Sequence, residues 1–154
     1  MHPKEKLKEL GLSLPGLPAP IASYISFRRV GNVLYLSGAG PTENGEIKFQ
    51  GKVGKDISLE EAYEAASLCC LNHLAQIEAA IGDLDKVHQI IKLEGYVNCA
   101  PGFNDPPAVI NGASNLLIEV FGERGRHSRA AMGISELWND IPVETILTVE
   151  ITSG

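Results

Sequence analysis

An α+β fold, with a mixed β-sheet carrying two long helices on one face, is what this sequence predicts, and three observations carry the prediction. A stretch with a helical apolar stripe opens at Ser58 and closes at Gly82, and a second runs from about Ala108 to Phe121. Alternating β-type runs occupy most of the remaining chain. The strands before residue 58 are linked by tight turns, so they cannot interleave with the helices as a series of right-handed parallel crossovers. A mixed sheet with both helices on the same face meets these conditions. The predicted order is β-β-β-α-β-α-β-β.

Taken in order, Lys4 to Leu10 reads as a short amphipathic helix stopped by Gly11, and Leu14 to Pro20 as an extended Pro- and Gly-punctuated connector. Residues 1–18 are therefore expected to form an N-terminal helical extension of one domain spanning 1–154. A strand-like pattern starts at Ile21, and Gly31-Asn32 separates two β-favouring runs, the signature of a tight hairpin. The second run, Val33 to Ser37, ends in Gly38-Ala39-Gly40-Pro41, and Asn44-Gly45 marks another turn before a short strand from Glu46 to Phe49.

Ser58 and Glu61 have the spacing of a capping box, in which the serine accepts an orphan helix amide and the glutamate reaches back to the serine amide. Ala66, Cys70, Leu74, Ile77 and Ile81 follow at helical spacing, and Gly82 supplies a left-handed stop. Val87 to Asn98 alternates, with Ile91, Leu93 and Val97 on the core side. Pro107 suits the first turn of the second helix and Gly122 its end. Strands are expected at Arg129 to Ile134 and Val143 to Ile151, the latter with Val143, Thr145, Leu147, Val149 and Ile151 facing one way.

Composition narrows the function classes. With 154 residues and 44% hydrophobic content the chain can bury one substantial core. A net charge of −6 opposes a surface that gathers nucleic-acid phosphates. The local run of Arg124, Arg126, His127 and Arg129 reads as a solvated loop. Three cysteines, Cys69, Cys70 and Cys99, lack zinc-ligand spacing and fit buried thiols in a reducing compartment, so a cytoplasmic protein is expected. The four histidines show no paired ligand spacing, which predicts no metal site. No run is long and apolar enough for a membrane helix. One sheet face without a helical layer argues for self-association.

The chemistry concentrates near the C-terminus, where Arg126-His-Ser-Arg129-Ala-Ala-Met-Gly-Ile134 precedes Val143-Glu144. The spacing suggests an arginine and a glutamate at facing ends of adjacent strands. A guanidinium makes two parallel charge-assisted bonds to a carboxylate and keeps its proton, so Arg129 suits a carboxylate-bearing ligand. A glutamate nearby can take a proton from water and return it. The other reading of the pair is a cross-strand ion pair worth a fraction of a kcal/mol.

This segment resembles the signature of the YjgF/RidA family, whose arginine holds a substrate carboxylate and whose glutamate, fifteen positions on, positions a water. Pro20 to Tyr24 is similar to the family's opening tyrosine segment, Leu36 to Pro41 to its Ser-Gly segment, and Ile110 to Ala113 to its Asn-Ala helix start. The resemblance implies a chorismate-mutase-like fold assembled as a homotrimer, with clefts at the subunit boundaries. It implies Arg129 and Glu144 as catalytic residues and Tyr24, Ser37, Gly38, Asn111 and Ala131 as substrate-binding residues. The implied activity is hydrolysis of 2-imino and 2-enamino acids to 2-oxo acids and ammonia, without metal or organic cofactor. Where the family commonly has Arg-Ser-Cys, this chain has Arg129-Ala130-Ala131, which removes a thiol not counted as the nucleophile. Loops at 99–107 and 135–142 are larger than in compact family members, and their Phe103 and Trp138 could narrow or reshape the cleft. A non-catalytic sensor of small carboxylates is the alternative, and the endoribonuclease role attached to part of the family is opposed by acidity and 6% aromatics.

Overall fold

The computed structural model describes residues 1–17 and 23–153, so Pro20 and the start of the strand-like pattern at Ile21 fall outside it. The first helix, α1 (Pro3–Glu9), is capped by His2, whose Nδ1 accepts from the Lys4 amide. It buries Leu7 to 2% exposure and packs on the second long helix, so the extension is part of the core's cover. The hairpin at Gly31-Asn32 forms between β1 (Phe27–Val30) and β2 (Val33–Leu36), with Phe27 opposite Leu36 and Val30 opposite Val33. β1 begins at Phe27, and the described residues before it, 23–26, are not in a strand.

At Asn44-Gly45 both residues have positive φ, 52° and 84°. Two successive left-handed residues give a type I′ turn, which joins β3 (Thr42–Glu43) to β4 (Glu46–Ile47) as a separate two-stranded sheet. β3 is an element that the sequence reading did not separate.

Helix α2 (Leu59–Ile81) opens with the full capping box at Ser58 and Glu61 and closes at Gly82 in the left-handed region, φ 80°. Its middle is buried on most sides, because β7, the second long helix and the β3 segment surround it. That second helix, α3 (Pro106–Phe121), starts from Asp105, whose carboxylate accepts from the Ala108 amide, and presents Val109, Ala113, Leu117 and Val120 inward. α2 and α3 touch closely at Gly112, where a Cβ would lie 2.0 Å from the Tyr63 carbonyl oxygen.

The main sheet has the order β1-β2-β7-β5-β6, with β5 (Val87–Asn98) and β6 (Ser128–Ile134) parallel and every other pairing antiparallel. Both long helices cover one face, as expected. β7 (Val143–Ile151) alternates without interruption: Val143, Thr145, Leu147, Val149 and Ile151 are buried and the residues between them are half-buried. β5 does not alternate so cleanly. Register shifts between Val87 and Gln89 and between Ile90 and Lys92 put an extra residue in the strand at each place, so Ile90, not Ile91, joins Leu93 and Val97 in the core.

Candidate functional site

β6 and β7 are not neighbours. β5 runs between them, with Leu93 opposite both Arg129 and Leu147, and Tyr96 opposite both Met132 and Glu144. Arg129 and Glu144 therefore stand two strand spacings apart and three residues out of register, roughly 10 Å in each direction. They also leave opposite faces of the sheet. Arg129 shares its row with buried Leu93 and reaches α3, whereas Glu144 lies between buried Val143 and Thr145 and turns away from the helices. The expectation of facing ends on adjacent strands is corrected: the connection of residues 135–142 carries the chain from β6 across β5 rather than beside it.

On the helical side, the Arg129 guanidinium is steered by two polar residues of α3. Its Nη1 donates to Asn111 Oδ1 at 2.7 Å and to Ser114 Oγ at 3.3 Å. Ser114 in turn bonds His127 Nε2 at 2.9 Å, and His127 Nδ1 meets the Gly125 carbonyl at 2.6 Å. Five N–H donors belong to a guanidinium and these contacts use the two of Nη1. Among the described residues, no carboxylate lies within 4.0 Å of Arg129. The Nε and Nη2 edge, a fork that matches a carboxylate, has no protein partner among those residues.

The other arginines of the same run are dispersed. Arg124 donates to the Val87 carbonyl at 2.6 Å, pairs with Asp85 and lies over the Phe121 ring, and Arg126 pairs with Glu123.

On the open side, Glu144 lines a cavity of about 850 Å³ together with Tyr24, Gly38, Glu46, Asn72 and Trp138, among others. Gly38 packs closely on Glu144: a Cβ there would stand 3.3 Å from the carboxyl carbon, so that the carboxylate would have to shift slightly. Burial pushes the Glu144 carboxyl above its ordinary value of 4.5, because little water remains to solvate the anion. Beneath it, Thr145 Oγ1 bonds His73 Nε2 at 2.8 Å, and His73 Nδ1 bonds Gln76 Oε1 at 2.7 Å. Asn72 is 3% exposed and uses its amide nitrogen on the Thr42 carbonyl at 2.7 Å, while its Oδ1 is buried with no hydrogen-bond partner among the described residues.

The residues expected at the site thus fall into two halves. Tyr24, Gly38 and Glu144 share the cavity; Arg129 and Asn111 share the helical side, with Ala131 two residues along the same row of β6. Ser37 sits beside Gly38, but its hydroxyl is committed to the Ile25 carbonyl at 2.5 Å. Trp138 lines the cavity, while Phe103 does not: it covers Gly54 and packs on the core. The sequence reading missed Ser114, Asn72 and the partnership of His127. The signal for Ser114 was available, because Asn111 and Ser114 are polar residues at i and i+3, which places them on one side of the helix.

Comparison with known proteins identifies the family and the fold. Residues 4–146 match the family model described as "YjgF/chorismate mutase-like, putative endoribonuclease". The chain is 38% identical to Protein TCP17 of Trypanosoma cruzi over 148 residues, which is 96% of this chain and 92% of that protein. Among solved structures it resembles Atu1372 of Agrobacterium tumefaciens, a protein of unknown function, at 46% identity and TM-score 0.92, covering 97% and 92% of the two chains. A Shewanella oneidensis MR-1 protein described as "a putative endoribonuclease" shares 35% identity with TM-score 0.95, over 98% of this chain and all of that one. RidA of Psychrobacter sp. PAMC 21119, at 21% identity and TM-score 0.63 over 88% and 94%, shares the fold. With the family model spanning nearly the whole chain and the mixed sheet carrying its helices on one face, this protein belongs to the YjgF/RidA family.

Proposed function

We propose that the protein hydrolyses 2-imino and 2-enamino acids to 2-oxo acids and ammonia in a cleft completed by a second copy of the chain. The observation that carries this reading is the state of Arg129: its guanidinium is tethered at Nη1 by neutral side chains and offers its remaining edge to an anion. A structural ion pair would have a carboxylate of the protein on that edge.

Arg129 and Glu144 of one chain leave opposite faces of the sheet, so a single protomer has two half-sites. In a closed ring, a proposed homotrimer, the Glu144 cavity of one protomer takes up Arg129 and Asn111 of its neighbour. The ligand carboxylate binds the Nε and Nη2 fork. Water held by Glu144 adds to the C=N carbon as its proton passes to the carboxylate and on to nitrogen, giving a carbinolamine; Glu144 then takes the remaining hydroxyl proton and returns it to nitrogen, so that the C–N bond breaks and ammonia leaves as the carbonyl forms. An enamine is first protonated at carbon to give the imine. A carboxyl shifted upward by burial is suited to both proton steps.

The endoribonuclease role carried in the family's description fits less well, since the chain is acidic and Arg124 and Arg126 are engaged by Asp85 and Glu123. The test is ammonia release from freshly generated iminopropanoate. Arg129→Ala and Arg129→Lys are expected to fall to the uncatalysed rate with folding unchanged, and Glu144→Gln to keep pyruvate binding while losing turnover. Full activity in Arg129→Ala removes the proposal, whereas pyruvate binding by a wild-type protein without imine hydrolysis favours a sensor.

A further inference from the structure

Ser114 is 8% exposed in the middle of α3, too enclosed to meet a ligand, yet it is bonded to the side chain that the ligand carboxylate would meet. We infer that Ser114 and His127 are positioning residues for Arg129, forming a one-way relay of hydrogen bonds that aims the free edge of the guanidinium. This deepens the proposed function and rests on Arg129 as the carboxylate anchor.

The direction of the relay follows from its last member. Gly125 contributes a carbonyl, which only accepts, so His127 Nδ1 must carry the hydrogen across their 2.6 Å contact. In the neutral ring Nε2 is then bare and accepts the Ser114 hydroxyl proton at 2.9 Å. With its proton committed to the imidazole, the Ser114 oxygen has lone pairs left for the Arg129 Nη1 hydrogen at 3.3 Å. Asn111 Oδ1 takes the other Nη1 hydrogen at 2.7 Å. Two acceptors one helical turn apart on α3 hold the Nη1 end of the planar group, and planarity then fixes the direction of Nε and Nη2.

Without His127, a helical serine turns its hydroxyl to the carbonyl four residues back, here that of Ile110. Its lone pairs then rotate away from Arg129. The imidazole thus acts two bonds away from the guanidinium, and the four groups come from different stretches of chain: α3, the turn at Gly122–Gly125 and the start of β6.

The experiment measures KM and kcat for iminopropanoate and equilibrium binding of pyruvate in Ser114→Ala, Ser114→Thr, His127→Phe and Arg129→Ala, with side-chain ¹⁵N spectra of His127. Ser114→Ala and His127→Phe are expected to raise KM and weaken pyruvate binding roughly tenfold while kcat stays within about twofold, and Ser114→Thr, which keeps the hydroxyl, to restore KM. In Ser114→Ala the Nε2 resonance of His127 is expected to move as its hydrogen-bond donor disappears. Unchanged KM and binding in Ser114→Ala, alongside loss in Arg129→Ala, overturn the relay but leave the proposed function standing. Loss of stability with KM and kcat falling together and no rescue by threonine also overturns it, as a purely structural role. Activity retained in Arg129→Ala removes both.

Discussion

His73 has no exposed surface, and it sits beneath the strand that carries Glu144, joined to Thr145 and Gln76. Burial lowers its pKa from 6.5 to about 4, because the enclosed ring cannot be hydrated as a cation, against smaller opposing effects from Gln76 and Thr145. The folded state thus holds His73 neutral while the unfolded chain protonates it near 6.5. Stability from this site is complete above pH 6.5 and is lost as pH falls from 6.5 towards 4, since the unfolded chain binds the extra proton in that window. The difference is worth on the order of 3 kcal/mol. Chemical denaturation at pH 7 and pH 4.5 should show a markedly smaller acid loss in His73→Gln than in the natural chain, even though the variant starts lower at pH 7. Equal acid losses would mean that another group carries the pH dependence.

Among the elements, the contact of α2 with α3 decides where Asn111 and Ser114 stand. Gly112 lies between them, and it permits the approach: a Cβ would fall 2.0 Å from the Tyr63 oxygen, 2.9 Å from its carbonyl carbon and 3.3 Å from the Ala66 side chain. Backbone cannot move aside as a flexible side chain can, so Gly112→Ala should cost about 3 kcal/mol or more despite alanine's better helix propensity. Urea unfolding measures this, and a variant as stable as the natural chain would show that the helices do not need the close approach. This contact also illustrates what sequence makes legible. α2, α3 and β7 were readable to within a few residues because cap, stripe and alternation all agree locally at Ser58, Gly82 and Val143–Ile151. The bulges of β5 were not, since Ile90 and Ile91 are interchangeable as apolar residues and only pairing with β7 selects Ile90 for the core. The strand order was illegible for a similar reason: β6 and β7 are consecutive in the chain, yet β5, from before α3, separates them. Arg129 and Glu144 were identifiable as residues, but their placement on opposite faces was a property of that order.

At the scale of the molecule, the sheet has one face under the helices and another formed by rows such as Tyr35-Thr148-Lys92, Ile146-Glu94-Ala130 and Glu144-Tyr96-Met132. Tyr35 remains 52% exposed and Met132 45%, and β6 is an edge strand whose outer side is unpaired among the described residues. A large apolar contribution on an open sheet face, next to a free strand edge, is the surface that self-association covers. Ile146 lies on β7, the central strand, and is half-buried in the protomer. Ile146→Lys can keep its ammonium in water in a lone protomer, whereas burial against a second sheet would strand the charge without a partner, which is strongly unfavourable. If the two half-sites meet across copies, light scattering should give three times the 16.5 kDa protomer mass for the natural chain and about the protomer mass for Ile146→Lys. Imine hydrolysis should vanish in the variant, with its circular dichroism preserved, although Arg129 and Glu144 are both intact. A natural chain that hydrolyses imines as a monomer would break the argument at its centre, since one protomer holds the two residues on opposite faces of its sheet.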